Sequence, residues 1–168
     1  VDPNGGVTQY TYFPATGYLN TVVEDPGGVN ATTVMTYDTN GYPDTVTDPE
    51  GRVTNYDYDA LGWLKQVTNP RGYLTKYTHD ANGNVAKIER QADAGATTWQ
   101  TSEFNYDILN NVVYAKDPLL RETFYTYDAN ENLATVKDHV QNQNPSPKVT
   151  VYEYDERDLL FKAHDLNT

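Results

Sequence analysis

Carboxylates are the residues of this chain best suited to chemistry, since 24 Asp and Glu stand among 168 residues. Asp57 and Asp59 lie two apart, which puts both on one face of an extended strand, where a pair could share a proton or hold a calcium ion. The other acidic residues do not gather. Asp38, Asp59, Asp80, Asp107, Asp128 and Asp155 return at regular intervals, each directly after an aromatic residue. An Asp that opens a turn accepts hydrogen bonds from its own backbone two residues on, so recurrence assigns these carboxylates to turns and not to catalysis. His79, His139 and His164 lack the close spacing and companion ligands of a metal site, and His79 occupies a position that is otherwise Tyr. Ser102 and Ser146 sit in no nucleophile elbow and beside no His. The residues predict no catalytic group, no metal site and no cofactor.

Aromatic side chains offer a second chemistry. The chain holds 15 Tyr and two Trp against four Phe and one Met. Flat apolar rings with polar tips suit sugar rings, and Trp63 and Trp99 are the candidates for stacking on a glycan. Trp99 stands out because it falls in an insertion with no evident structural need for Trp. The competing role for the tyrosines is cross-strand packing, which stabilises neighbouring strands by about 0.2–1 kcal/mol per pair.

The elements that position these residues repeat. Tyr-Asp falls at Tyr37-Asp38, Tyr58-Asp59, Tyr106-Asp107, Tyr127-Asp128 and Tyr154-Asp155, with His79-Asp80 where a further copy is due, at spacings of 21, 21, 27, 21 and 27 residues. A degenerate first unit has Phe13-Pro14 in place of the pair. A second marker follows 11 residues after most of these aromatics: Asp48-Pro49, Asn69-Pro70 and Asp117-Pro118, then Asp138 and Asp165 without the proline. Asp2-Pro3 and Asp25-Pro26 belong to the same series. Insertions Gln91 to Gln100 and His139 to Lys148 account for the two longer spacings, and both read as loops, the second the more mobile.

Asp-Pro-x-Gly matches a type I turn, with an Asx acceptor first, a preset φ second and Gly fourth. Asp38-Thr39-Asn40-Gly41, Asp59-Ala60-Leu61-Gly62 and Asp80-Ala81-Asn82-Gly83 predict a hairpin closed by a bulge. Asn110, Glu131 and Asp158 take the glycine position later, and Glu131 predicts either strain or a changed turn. Asn4-Gly5, Asn40-Gly41 and Asn82-Gly83 are further turn formers. Between the turns lie Tyr-, Val- and Thr-rich segments such as Val53 to Tyr58 and Trp63 to Thr68. Tyr56 and Tyr58 share a face, whereas Leu64 and Val67 are three apart, which predicts a bulge or twist after the turn. Helical periodicity is nowhere sustained. Two strands per unit give roughly 14 strands, and at ~4.8 Å each a continuous antiparallel sheet of roughly 65 Å, which must curve or spiral.

A net charge of −12 disfavours nucleic acid and anionic membrane surfaces as partners. The absence of Cys removes disulfides and thiolate chemistry and leaves the redox compartment open. No apolar run approaches the ~20 residues of a spanning helix. The chain starts at Val1 without Met, as a processed form or a fragment of a longer protein would.

Tyr-Asp-x-x-Gly-x-Leu followed by Asn/Asp-Pro-x-Gly, clearest in the YDALGWLKQVTNPRG of Tyr58 to Gly72, resembles the YD-repeat, or Rhs-repeat, family over essentially the whole chain. The resemblance implies secreted or surface-exposed polymorphic toxins, toxin-complex components and teneurin-type adhesion proteins, in which long β-hairpin arrays spiral into a hollow shell. It implies an all-β array over residues 1–168, with units at about 2–24, 25–47, 48–68, 69–90, 91–116, 117–137 and 138–164. The family's complete shells use many more units, and no segment resembling its self-cleaving, aspartate-bearing terminus follows Tyr154. The expected role is a non-enzymatic scaffold at the cell surface or outside the cell, whose partners are neighbouring repeats or further copies joined end to end. The alternative is an adhesion module for glycans or a protein.

Overall fold

Turn signals every ten or so residues cut the chain into short Thr-, Val- and Tyr-rich segments, which can satisfy their backbone only by pairing sideways. The computed structural model describes residues 6–139 and 148–166. These form 14 strands and no helix: β1 (Thr8–Tyr12), β2 (Leu19–Glu24), β3 (Ala31–Tyr37), β4 (Pro43–Thr47), β5 (Val53–Tyr58), β6 (Leu64–Thr68), β7 (Leu74–His79), β8 (Val85–Gln91), β9 (Trp99–Tyr106), β10 (Val112–Lys116), β11 (Glu122–Tyr127), β12 (Leu133–His139), β13 (Lys148–Tyr154) and β14 (Leu160–Leu166). Hydrogen-bonded order follows chain order, β1 through β14, in one open antiparallel sheet. The chain forms two compact units, Val1–Lys76 with Gln91–Thr98 and Tyr77–Arg90 with Trp99–Thr168.

In the first unit, the hairpins β1–β2, β3–β4 and β5–β6 each carry a register shift at the Tyr that precedes the turn. In β5–β6, Leu64 faces Tyr58 and Val67 faces Tyr56, with Lys65 as the extra residue. That bulge is why two residues three apart share one face. The second unit repeats the shift at Tyr127 and Tyr154.

The joints between hairpins keep a common register. Thr45 faces Asn55 and Gln66 faces Lys76 in the first unit, while Tyr114 faces Phe124 and Thr135 faces Val151 in the second. In every case the residue seven after the turn-opening Asp meets the residue three before the next Tyr or His. A one-residue slip would turn each aromatic to the opposite face, so the alternation itself holds the register. None of the described residues is fully buried. Stability therefore comes from lateral pairing and same-face contacts, with no closed hydrophobic interior.

The insertion Gln91 to Gln100 is a loop between Gln91, which ends β8, and Trp99, which starts β9. Two expectations are corrected. In the first hairpin the Tyr-Asp pair is replaced by Tyr12-Phe13, since Tyr12 carries the register shift and the Phe13 N–H donates to the Tyr18 carbonyl. Asp25 opens a longer turn than the other members of its series, with φ of 51° at Asp25 and 55° at Asn30. Asp2-Pro3, Asn4-Gly5 and most of His139 to Lys148 lie outside the described residues.

Glu131 keeps the common turn and takes φ 67°, and Leu120, at the fourth position of the Asp117 turn, takes φ 62°. Left-handed φ crowds the Cβ of such residues against the following carbonyl oxygen. Leu120→Gly should accordingly raise unfolding free energy by roughly 1 kcal/mol, relief of strain outweighing the extra freedom of Gly in the unfolded chain. Urea titration of the variant beside the parent chain measures it.

Candidate functional site

The recurrent Asp residues converge on one device. In the turns opened by Asp38, Asp48, Asp59, Asn69, Asp80, Asp107, Asp117, Asp128 and Asp155, the first residue donates its N–H to the carbonyl of the fifth, and the fourth donates back to the carbonyl of the first. Every fourth residue has positive φ, between 59° at Asp158 and 89° at Gly41 and Gly83. The side-chain Oδ1 then accepts the N–H groups of the third and fifth residues, as at Asp59 from Leu61 (2.9 Å) and Trp63 (3.0 Å). Asn69 does the same with Arg71 (2.9 Å) and Tyr73 (3.0 Å). Both turn series use this one clamp.

The second carboxylate oxygen is free to take a side chain. Arg52 reaches Asp48, Arg121 reaches Asp117, Arg157 reaches Asp155, and the Asn84, Asn111 and Asn132 amides reach Asp80, Asp107 and Asp128. These bonds favour the ionised form. The Asn84 side-chain amide holds Asp80 below its ordinary value, the Arg121 guanidinium does so for Asp117, and the Arg157 guanidinium for Asp155. Backbone N–H groups act first at Asp48 and Asp107. At Asp128 partial burial pushes upward, and the Asn132 and Asn130 N–H groups outweigh it.

The tyrosines tie one repeat to the one before. The hydroxyls of Tyr106, Tyr127 and Tyr154 donate to the carbonyls of Val85 (2.9 Å), Val112 (2.9 Å) and Leu133 (3.0 Å), each the first residue of a strand in the preceding repeat. Burial, followed by the nearby Asp80 and Asp107 charges, pushes the Tyr106 and Tyr127 hydroxyls above their usual range.

Between successive turns two chemistries occur, one in each unit. Tyr18 packs on Tyr37 with ring centres 4.8 Å apart, and Tyr42 on Tyr58 at 5.0 Å. A Cβ at Gly41 would collide with the Tyr18 hydroxyl, and one at Gly62 with that of Tyr42. In the second unit Asn replaces the aromatic. The Asn84 amide donates to Asn110 Oδ1 (2.7 Å), and the Asn132 amide to Asp158 Oδ1 (2.9 Å).

This geometry sets a two-sided pH dependence. The depressed Asp values make the clamps stabilising above the unfolded carboxylate value of about 4, and that stability is lost as pH falls through the lower folded values. The raised Tyr values act oppositely: their contribution is complete below about pH 10 and is lost as pH rises through the folded values. Melting temperatures from pH 2 to 11 should form a plateau with both edges falling.

The RHS Repeat family profile matches residues 37–73 and 58–98. Residues 37–98 of the chain are RHS repeats. No curated protein matches its sequence. Among solved structures, this Rhs-repeat chain resembles the TcdB2-TccC3-Cdc42 crystal structure, with TM-score 0.75, 20% identity, and coverage of 95% of this chain and 9% of the other. It also resembles TcdB2-TccC3 without its hypervariable C-terminal region (0.75, 19%, 95% and 9%) and a Photorhabdus luminescens Tc holotoxin pore (0.74, 19%, 94% and 9%). The Rhs-repeat chain thus spans about a tenth of the length of these proteins, with which it shares the fold.

Placed in the Rhs array, the remaining candidates separate. Asp57 and Asp59 take different tasks: Asp57 accepts from the Gln66 amide (3.1 Å) across β5–β6, while Asp59 is turned into its clamp. Trp63 occupies the position held by Tyr18 and Tyr42, and Trp99 starts β9. Both are half-buried. His79 fills the Tyr position at the end of β7, and His164 lies on β14 with Nδ1 3.4 Å from Glu153. Ser102 edges a depression of about 370 Å³ over Phe104, Ala115 and Tyr125. Its polar rim is already paired, Arg121 with Asp117 and Thr123 with Asp138. Among the described residues no group of three His, Asp or Glu could hold a metal. Sequence reasoning missed the Asn84–Asn110 and Asn132–Asp158 bridges. The recurrence of Asn four residues after Asp80, Asp107 and Asp128 was the available signal.

Proposed function

We propose that the chain is a wall-forming part of a secreted or cell-surface Rhs assembly and carries no catalysis of its own. One observation supports this above the rest: the recurrent Asp residues are engaged in holding turns, and the hydroxyls of Tyr106, Tyr127 and Tyr154 in joining repeats. Groups committed in this way serve the framework before any substrate. The likeness to toxin-complex structures suits a shell or an extended surface structure, in which each repeat adds one step of wall.

A scaffold of interchangeable steps tolerates the loss of one. Deleting residues 107–127 joins Tyr106 to Asp128 and leaves the clamp, bulge and register intact on both sides. The shortened chain should keep a strand-dominated circular-dichroism spectrum and a cooperative melt, whereas collapse to an unfolded spectrum would refute interchangeable repeats.

A further inference from the structure

We infer that the paired tyrosines of the first unit are a cross-linking site, at which a peroxide-driven one-electron oxidant joins Tyr42 to Tyr58, and Tyr18 to Tyr37, as dityrosine. The inference needs only the ring pairs and stands whether or not the scaffold reading holds. Tyr42 leads into β4 and Tyr58 ends β5, so their contact spans the joint between two hairpins, as that of Tyr18 with Tyr37 spans the joint β2–β3. The Tyr42 and Tyr58 rings are stacked, 27° from parallel with centres 5.0 Å apart, which brings ring carbons of two phenols into contact. Tyr18 and Tyr37 are closer, at 4.8 Å, and tilted by 40°. Gly62, at φ 82°, gives the Tyr42 hydroxyl the space a Cβ would take, and Gly41 does so for Tyr18. The rings are thereby held together before any reaction. Tyr42 is 37% exposed, so an oxidant in solution reaches it.

Each phenol gives up one electron and its hydroxyl proton, and the spin spreads onto the two ring carbons beside the oxygen. Coupling of one such carbon from each ring forms the new C–C bond, and the hydrogen on each joined carbon then moves to its oxygen and restores both phenols. Two electrons and two protons leave in all, and peroxide takes them up to give two molecules of water. Holding both rings at contact replaces a chance encounter between radicals. The second unit supplies the contrast. There Asn84, Asn111 and Asn132 stand at the turn position of Tyr18 and Tyr42, and the Tyr106, Tyr127 and Tyr154 hydroxyls donate to backbone carbonyls. Tyr114 packs on Phe124, which has no phenol to couple.

Hydrogen peroxide with a peroxidase, applied to the dilute chain at neutral pH, tests the site, with the monomer isolated afterwards, digested and mapped by mass spectrometry. The peptide holding Tyr42 should be joined to that holding Tyr58, two hydrogens lighter than their sum, at least about tenfold more often than in chain oxidised in urea. Tyr42→Phe keeps the ring and its packing and should abolish this link while leaving Tyr18 joined to Tyr37. Tyr18→Phe should do the reverse. Circular dichroism before oxidation confirms that each variant keeps the strand signal of the parent. A folded parent in which the Tyr42–Tyr58 link is absent, or as rare as in urea, would overturn the inference and leave the scaffold reading standing. So would dityrosine fluorescence of the monomer that persists undiminished when Tyr18→Phe and Tyr42→Phe are combined. A parent chain without strand signal would remove both readings, since the ring pairs exist only in the sheet.

Discussion

Gly62→Ala should lower unfolding free energy by about 2–3 kcal/mol, roughly 1–2 for a Cβ at left-handed φ and the rest for lost ring packing. Gly62 has φ 82°, and its missing Cβ leaves the place that the Tyr42 hydroxyl fills while the Tyr42 ring stacks on Tyr58 at 5.0 Å. Gly51→Ala supplies the contrast. Its φ is 78°, with nothing within 4 Å of an added Cβ, so only the backbone cost of about 1–2 kcal/mol applies. The two effects separate in a double-mutant cycle. In a Tyr42→Ala background Gly62→Ala should cost no more than Gly51→Ala does. An undiminished cost there would show that Tyr42 does not use the glycine, and the account of inter-repeat packing would fail with it.

Asp59→Ala should cost about 1–2 kcal/mol, by analogy with loss of a helix N-cap, because the Leu61 and Trp63 N–H groups lose their shared acceptor. Asp59→Asn should cost no more than about 0.5 kcal/mol, since the amide oxygen accepts the same two bonds. The chain already contains this control at Asn69, whose oxygen stands 2.9 and 3.0 Å from its two donors. Thermal melts of the three proteins at pH 7 measure the difference. Equal losses for Ala and Asn would mean that charge, and not the clamp, matters at this position.

Strands and turns were legible in the chain because their causes are local. Asp, Pro and Gly at set offsets decide a turn within five residues, and the spacing of Leu64 and Val67 already implied the bulge that Lys65 makes. What escaped a sequence reading depends on partners more than 20 residues away. Tyr106 meets Val85, and Asn84 meets Asn110, only after hairpin registers are set. The degenerate first repeat slid by one because Phe13 is aromatic and attracted the Tyr position, whereas hydrogen bonding places Tyr12 there. Trp99 looked like a loop residue because strand length depends on neighbours, and β9 is longer than most. The positive φ of Leu120 was invisible for a related reason: the clamp imposes it against the preference of the residue.

The central claim is that the joints between hairpins are as continuous as the hairpins themselves. Amide hydrogen exchange resolved by residue tests it directly, comparing joints such as β4–β5 and β12–β13 with the hairpins β3–β4 and β13–β14. Protection at the joints should match that inside the hairpins; fast exchange confined to the joints would mean separate hairpins strung along a chain.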